Sequence, residues 1–285
     1  MKKNNYDAVF FGDERMAEEQ INGVIITFFS TASAVGKTLI SINMASELAR
    51  EGYSVCLADF DLQFGDIRNY LRLNPEYTIT DLCDRIKADS GSSLMPMLTT
   101  YAYEGVAFQV IPNPNKLDEA YNLSPETIID VLKNLRMQYD YIIVDTTSMF
   151  SVLNLALLDI STIVTFLGIV DFIPTIKNMK IGNETLRTLN YDSNKIRLVL
   201  NRSDSKTHIQ LKDVVSILGE DFYHILHNDF ISARESIASG VPLVLNGQDS
   251  ELTQELRALV ARYTNKGYQT AETQKKNSWL SKIFS

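Results

Sequence analysis

Short runs of β-branched and aromatic residues alternate along this chain with amphipathic stretches of helical length, and that alternation leaves few folds open. The runs fall at residues 24–29, 54–58, 107–111, 141–144, 162–167 and 196–200. Most are apolar nearly throughout, the character of strands covered on both faces. Helical patterns occupy 38–50, 79–87, 125–137, 172–189 and 210–218, and Ser124 before Pro125 places a capping hydroxyl ahead of a proline at the first helical position. The βαβα order predicts an α/β fold, a mainly parallel twisted sheet with helices on both faces.

At the first strand-to-helix junction the sequence reads Phe28-Phe29-Ser30-Thr31-Ala32-Ser33-Ala34-Val35-Gly36-Lys37-Thr38-Leu39-Ile40. Gly36, Lys37 and Thr38 close the phosphate-loop pattern G-x-x-x-x-G-K-[ST], but its opening glycine falls on Thr31. The triplet alone occurs by chance; its place at a helix start, where free N–H groups and the helix dipole favour an anion, makes it a phosphate site. There Lys37 would neutralise phosphate and the Thr38 hydroxyl would hold Mg²⁺. Asp145 ends the apolar strand 141–144, and Asp59 and Asp61 end another. Acids cap many strand ends without function. Gathered at the carboxyl ends of parallel strands, these lie where open α/β sheets bind ligands.

The net charge of −8 argues against a protein whose main work is wrapping nucleic acid. No apolar run approaches the roughly 20 residues that span a bilayer, and the N-terminus lacks the pattern of a secretory signal. Cys56 and Cys83 form no disulfide framework, so a reducing cytoplasm is expected. Three histidines without cysteine partners predict no metal site of their own.

These motifs resemble the MinD/ParA group of P-loop ATPases over roughly residues 22–264, with Ala32 to Thr38 in the place of K-G-G-V-G-K-T. Within that group, Asp59-Phe60-Asp61-Leu62-Gln63-Phe64-Gly65-Asp66 is similar to the D-x-D-L-Q-F-G-D run of the CpaE/TadZ pilus-assembly branch, and Asn201-Arg202 and the run from Ala233 to Leu243, with Gly240-Val241-Pro242-Leu243, also look like that branch. The resemblance implies a P-loop fold with ATP and Mg²⁺ as cofactors. It implies nucleotide contacts from Ala32, Ser33, Ala34, Val35, Gly36, Lys37, Thr38, Leu39, Asp59, Asn201 and Arg202, with Asn201 reading the adenine edge. Lys37 and Asp61 would be catalytic, and Asp145 would hold Mg²⁺ through water alongside Thr38.

The departures are local. The group's signature lysine, which reaches a partner subunit's phosphates, is replaced by Ala32, and no nearby cation in the sequence replaces it. Two glycines become Ser33 and Ala34. Thr31 is β-branched, so a positive φ there would be strained. A proline of the base pocket becomes His227. Loss of a cation supplied in trans implies slow hydrolysis, since such a charge is worth about 10³ to 10⁵ in rate.

Three readings stay open: an ATP-gated homodimeric switch that localises Flp/Tad-type pilus machinery, a non-hydrolysing polar scaffold of the same fold, and a division or segregation ATPase. Residues 1–20 read as an arm or linker, 21–264 as the ATPase domain, and 265–285 as a tether and amphipathic tail. In the tail Trp279, Leu280, Ile283 and Phe284 share a helix face flanked by lysines, the make-up of a segment that lies on an anionic membrane surface. Partners would be a second copy and the pilus secretion machinery or a polar landmark protein. The expected location is cytoplasmic, peripheral at the inner face of the membrane or the cell pole.

Overall fold

β1 (Val24–Phe29) is buried along nearly its whole length, as a strand with neighbours on both sides and helices on both faces must be. The computed structural model describes residues 23–204 and 209–264. The expected N-terminal arm and C-terminal tail lie outside the described residues. After β1 come α1 (Lys37–Arg50), β2 (Val55–Asp59), α2 (Ile67–Tyr70), α3 (Ile79–Ala88), β3 (Thr99–Tyr103), β4 (Val106–Ile111), α4 (Leu117–Asn122), α5 (Pro125–Arg136), β5 (Tyr141–Asp145), α6 (Val152–Ile160), β6 (Ile163–Gly168), α7 (Ile173–Thr188), β7 (Ile196–Leu200), α8 (Leu211–Leu218), β8 (His224–Ile225), α9 (Phe230–Ser239) and α10 (Glu251–Tyr263).

The strands form one sheet in the order β3-β4-β2-β5-β1-β6-β7-β8. Every pairing is parallel except β3 with β4. The α/β expectation and all six expected strands are borne out, and two further strands were not foreseen. β3 is an exposed-edge strand with a Thr-Thr-Tyr-Ala-Tyr sequence, and β8 has two residues. Side chains alternate between faces. Ile26 and Phe28 join α1 and α10 on one side, while Ile25 and Phe29 join the layer of α3, α5, α7 and α8 on the other.

The connection from β1 through α1 leads to β2 on one side, whereas that from neighbouring β5 through α6 leads to β6 on the other. The two loops therefore diverge at the sheet's carboxyl edge and leave a crevice, the place where open α/β sheets hold ligands. Ser124 caps α5 by accepting from the Thr127 N–H, as its sequence predicts. Cys56 and Cys83 are both buried free thiols.

Candidate functional site

A cavity of about 820 Å³ opens in that crevice. One wall is the loop from Ser33 to Thr38. Gly36 caps α1 with φ 96° and has no side-chain cap over the first turn, whereas Thr78, Ser124, Ser151, Asp229 and Ser250 cap α3, α5, α6, α9 and α10 with their side chains. The first-turn amides of α1 thus lack the side-chain oxygen that would compete with a bound anion. A Cβ at Gly36 would meet the Asn201 amide at 2.6 Å, so both conformation and space require glycine.

Lys37 folds back over the loop. Its ammonium donates to Ser148 Oγ at 2.7 Å and Ser30 Oγ at 3.3 Å, and both hydroxyls donate to the Ala32 carbonyl at 2.7 Å. Burial lowers its pKa, against the opposing pull of Asp145 and Asp61. Beside it Thr38 Oγ1 donates to Asp145 Oδ2 at 2.5 Å, while buried Asp145 Oδ1 has no hydrogen-bond partner among the described residues. Burial pushes the Asp145 carboxyl up to about 6, with Thr38 and Lys37 working the other way. A buried, partnerless carboxylate oxygen next to a threonine hydroxyl suits the outer sphere of a hydrated Mg²⁺, which keeps most of its waters. The donor set fits that ion.

Asp59 pairs with Asp145 across β2 and β5 and is fully buried. Burial and the Asp145 charge hold its pKa well above the usual carboxylate range. Its two oxygens accept from the Asp61 and Ile67 N–H groups at 3.3 and 3.1 Å. A Cβ at Gly65 would stand 2.4 Å from those oxygens, which explains the spacing from Asp59 to Gly65 in the octet. Asp61 lines the cavity and accepts from the Phe64 N–H at 3.1 Å.

The remaining candidates divide. Ser33, Ala34, Val35, Leu39, Asn201 and Arg202 all line the cavity, whereas Ala32 and Asp59 do not: Ala32 packs on the core and Asp59 supports the loop from below. Asn201 donates from its amide to the Val35 carbonyl at 2.8 Å, so it also carries the loop. Thr31 is not strained. Positive φ falls instead on Ala34 at 58°, and Thr31 turns its methyl toward Gly182 of α7, where a Cβ would meet it at 2.4 Å. Trp279, Leu280, Ile283 and Phe284 lie outside the described residues.

Sequence reasoning misses Ser30 and Ser148; the run Thr146-Thr147-Ser148 straight after a strand-ending aspartate is the one signal for the latter. It also gives no role to Arg234. Arg234 lines the same cavity as Lys37. His227 likewise lines the cavity and forms, with Glu251 and Glu255, a group whose ligand atoms lie within 4.8 Å of one another. Glu255 accepts from the His227 N–H at 2.7 Å and from its ring Nδ1, and this hydrogen bond raises the histidine pKa.

Residues 26–242 match the model of the CobQ/CobB/MinD/ParA nucleotide binding domain. The uncharacterised ATP-binding protein MJ0547 of Methanocaldococcus jannaschii is 26% identical over 265 residues, 92% of this chain and 95% of that protein. Among solved structures, a ParA family ATPase from Chlorobium tepidum superposes with TM-score 0.76 at 20% identity, covering 83% of this chain and 98% of that one. The septum site-determining protein MinD of Pyrococcus horikoshii, complexed with Mg-ADP, gives TM-score 0.71 at 18% identity, covering 85% and 96%. At such identities the two structures speak to the fold alone.

Proposed function

Because the chain belongs to the CobQ/CobB/MinD/ParA nucleotide-binding domain family, we propose that it is an ATP-binding switch that dimerises on Mg-ATP and hydrolyses it slowly. The observation that carries this reading is the Thr38–Asp145 pair, with one buried carboxylate oxygen left without a partner beneath Lys37. Thr38 would ligate Mg²⁺ and Asp145 would hold one of its waters, and the ion would supply positive charge to the phosphates. Lys37 and the uncapped first turn of α1 would bind those phosphates. Exposed apolar side chains at the cavity mouth, Phe64, Met149 and Phe230 at 74%, 61% and 66%, suit closure by a second copy.

Calorimetry tests the core claim. Wild type is expected to bind Mg-ATP, and Lys37→Ala to bind it at least roughly tenfold more weakly, since charge-assisted contacts to phosphate are worth about 1.5–3 kcal/mol. Absence of wild-type heat at near-millimolar Mg-ATP would overturn the reading. Slow turnover follows from Ala32: Ala32→Lys, with Ser33→Gly and Ala34→Gly, is expected to raise the hydrolysis rate, and Asp61→Ala to cancel the gain.

The finer role rests on the octet from Asp59 to Asp66, whose likeness to the CpaE/TadZ run supports placement of Flp/Tad-type pilus machinery at a cell pole. The tail then supplies an anchor to anionic membrane, strengthened when a dimer presents two tails. Sedimentation with anionic vesicles is expected to show binding that depends on Mg-ATP and is lost in a chain ending at Gln274. A non-hydrolysing scaffold is the second reading, favoured by the positive φ imposed on Ala34 where the group has glycine.

A further inference from the structure

The loop side of the cavity is short of positive charge. Among the described residues Lys37 is the cation on the loop itself, and Asp61, Asp66 and Asp145 stand around it or line the same space. A nucleoside triphosphate brings several more negative charges, and a single magnesium ion offsets only part of them. Further positive charge must come from the arginines that line the cavity, Arg202 after β7 and Arg234 on α9.

Helix α9 supplies a candidate. Phe230, Ala233, Arg234 and Ile237 line the cavity, and their i, i+3, i+4, i+7 spacing makes them one helix face. Arg234 is the cation on that face. Among the described residues no carboxylate pairs with it, whereas Arg50, Arg187 and Arg257 each hold a glutamate. An arginine with a free planar fork of donors is suited to phosphate oxygens.

The helix is also held firmly enough for this task. Ser236, two residues on, is fully buried and shares a 2.5 Å hydrogen bond with the Tyr70 hydroxyl of α2. Arg72 donates to the Ala238 carbonyl, and a Cβ at Gly240 would press on the Arg72 side chain at 2.9 Å. Since Asp59 fixes the start of α2 through the Ile67 N–H, the helix bearing Arg234 and the acidic loop share one support.

We propose that Arg234 binds the polyphosphate of the nucleotide in this cavity and completes the charge that Lys37 begins. The proposal rests on the nucleotide-binding reading. Calorimetry with Mg-ATP, and with AMP in the same buffer, separates polyphosphate contacts from contacts to the rest of the nucleotide. Arg234→Ala is expected to weaken Mg-ATP about tenfold or more and AMP by no more than roughly twofold. Arg234→Lys should recover part of the loss, and Arg234→Gln should behave as the alanine variant, with thermal melts of all three matching wild type. Equal losses for Mg-ATP and AMP would place Arg234 on the α-phosphate, ribose or base rather than the β- and γ-phosphates and overturn the proposal. Unchanged Mg-ATP affinity in Arg234→Ala, while Lys37→Ala still loses its share, would overturn this inference alone. Failure of wild type to bind Mg-ATP would overturn both.

Discussion

Where β1, β2 and β5 end, polar side chains hold one another; where β7, β8 and α9 meet, the arginines face open space. Lys37 is held by two serines, Thr38 by Asp145, and Asp59 by two backbone amides. Arg202 and Arg234 line the same cavity, with no ion-pair partner among the described residues, and Phe230 beside them is mostly exposed. The first region is organised before any ligand arrives and should lose little entropy on binding. In the second, it is the arginine side chains that must be ordered by what they bind. Substitutions at the first should therefore disturb the free protein, and those at the second mainly the complex.

The largest effect is expected at Gly65. A methyl group there would overlap the buried Asp59 carboxylate at 2.4 Å. Either the loop from Asp61 to Asp66 shifts or Asp59 loses its amide donors. Overpacking typically costs about 1–3 kcal/mol and a buried charge left short of donors adds to it, so Gly65→Ala should lower unfolding free energy by about 3 kcal/mol in urea titrations. Arg234→Ala should leave that free energy within about 0.5 kcal/mol of wild type. Equal losses in the two variants would erase the contrast between the regions.

Asp145 gives a smaller effect with a defined sign. Its folded pKa of about 6 lies above the ordinary aspartate value of 3.8. The folded state therefore favours the neutral carboxyl. The associated stability, about 3 kcal/mol at most, is fully present below about pH 4 and is lost as pH rises through about 6. Asp145→Asn should flatten the stability profile between pH 4 and 7, leaving the slope contributed by Asp59. It should also abolish the rise in melting temperature that Mg-ATP gives wild type. An unchanged slope would show that the carboxylate is better solvated than its burial implies.

How much of this was legible in the sequence follows the same division. Val24–Phe29 and Ile196–Leu200 are found to the residue because each is a β-branched and aliphatic or aromatic run broken by a single polar residue, Thr27 or Arg197. β3 escapes because Thr-Thr-Tyr-Ala-Tyr is neither a continuous apolar run nor a polar–apolar alternation, and it spans only five residues. Helix α10 carries Leu252, Leu256, Leu259 and Tyr263 on a buried face, a periodicity the strand-and-helix alternation does not call for. In the site, Lys37, Thr38, Asp59, Asp61 and Asp145 stand in motifs and are placed correctly at the sheet's carboxyl edge. Ser148 acquires its role only through contact with Lys37, 111 residues away. Arg234 needs α9, which no strong pattern announces: its cavity face mixes Phe230 and Ile237 with a charge.

The smallest effect belongs to Ala34, the one place where the organised end of the cavity carries strain. Its φ of 58° lies in the left-handed region that side chains disfavour by roughly 1–2 kcal/mol, and its side chain is exposed, so no packing offsets the cost. Glycine would relieve that strain but would also gain freedom in the unfolded chain, an opposing loss of about 0.4–1 kcal/mol. The net for Ala34→Gly should be a gain of about 0.5–1 kcal/mol, measurable as a small rise in the urea midpoint at unchanged slope. Mg-ATP affinity should move less than the stability if the loop already holds its binding shape. A larger gain in affinity than in stability would mean that Ala34 keeps the free loop away from that shape, and that the phosphate end, like the arginines opposite, waits for its ligand.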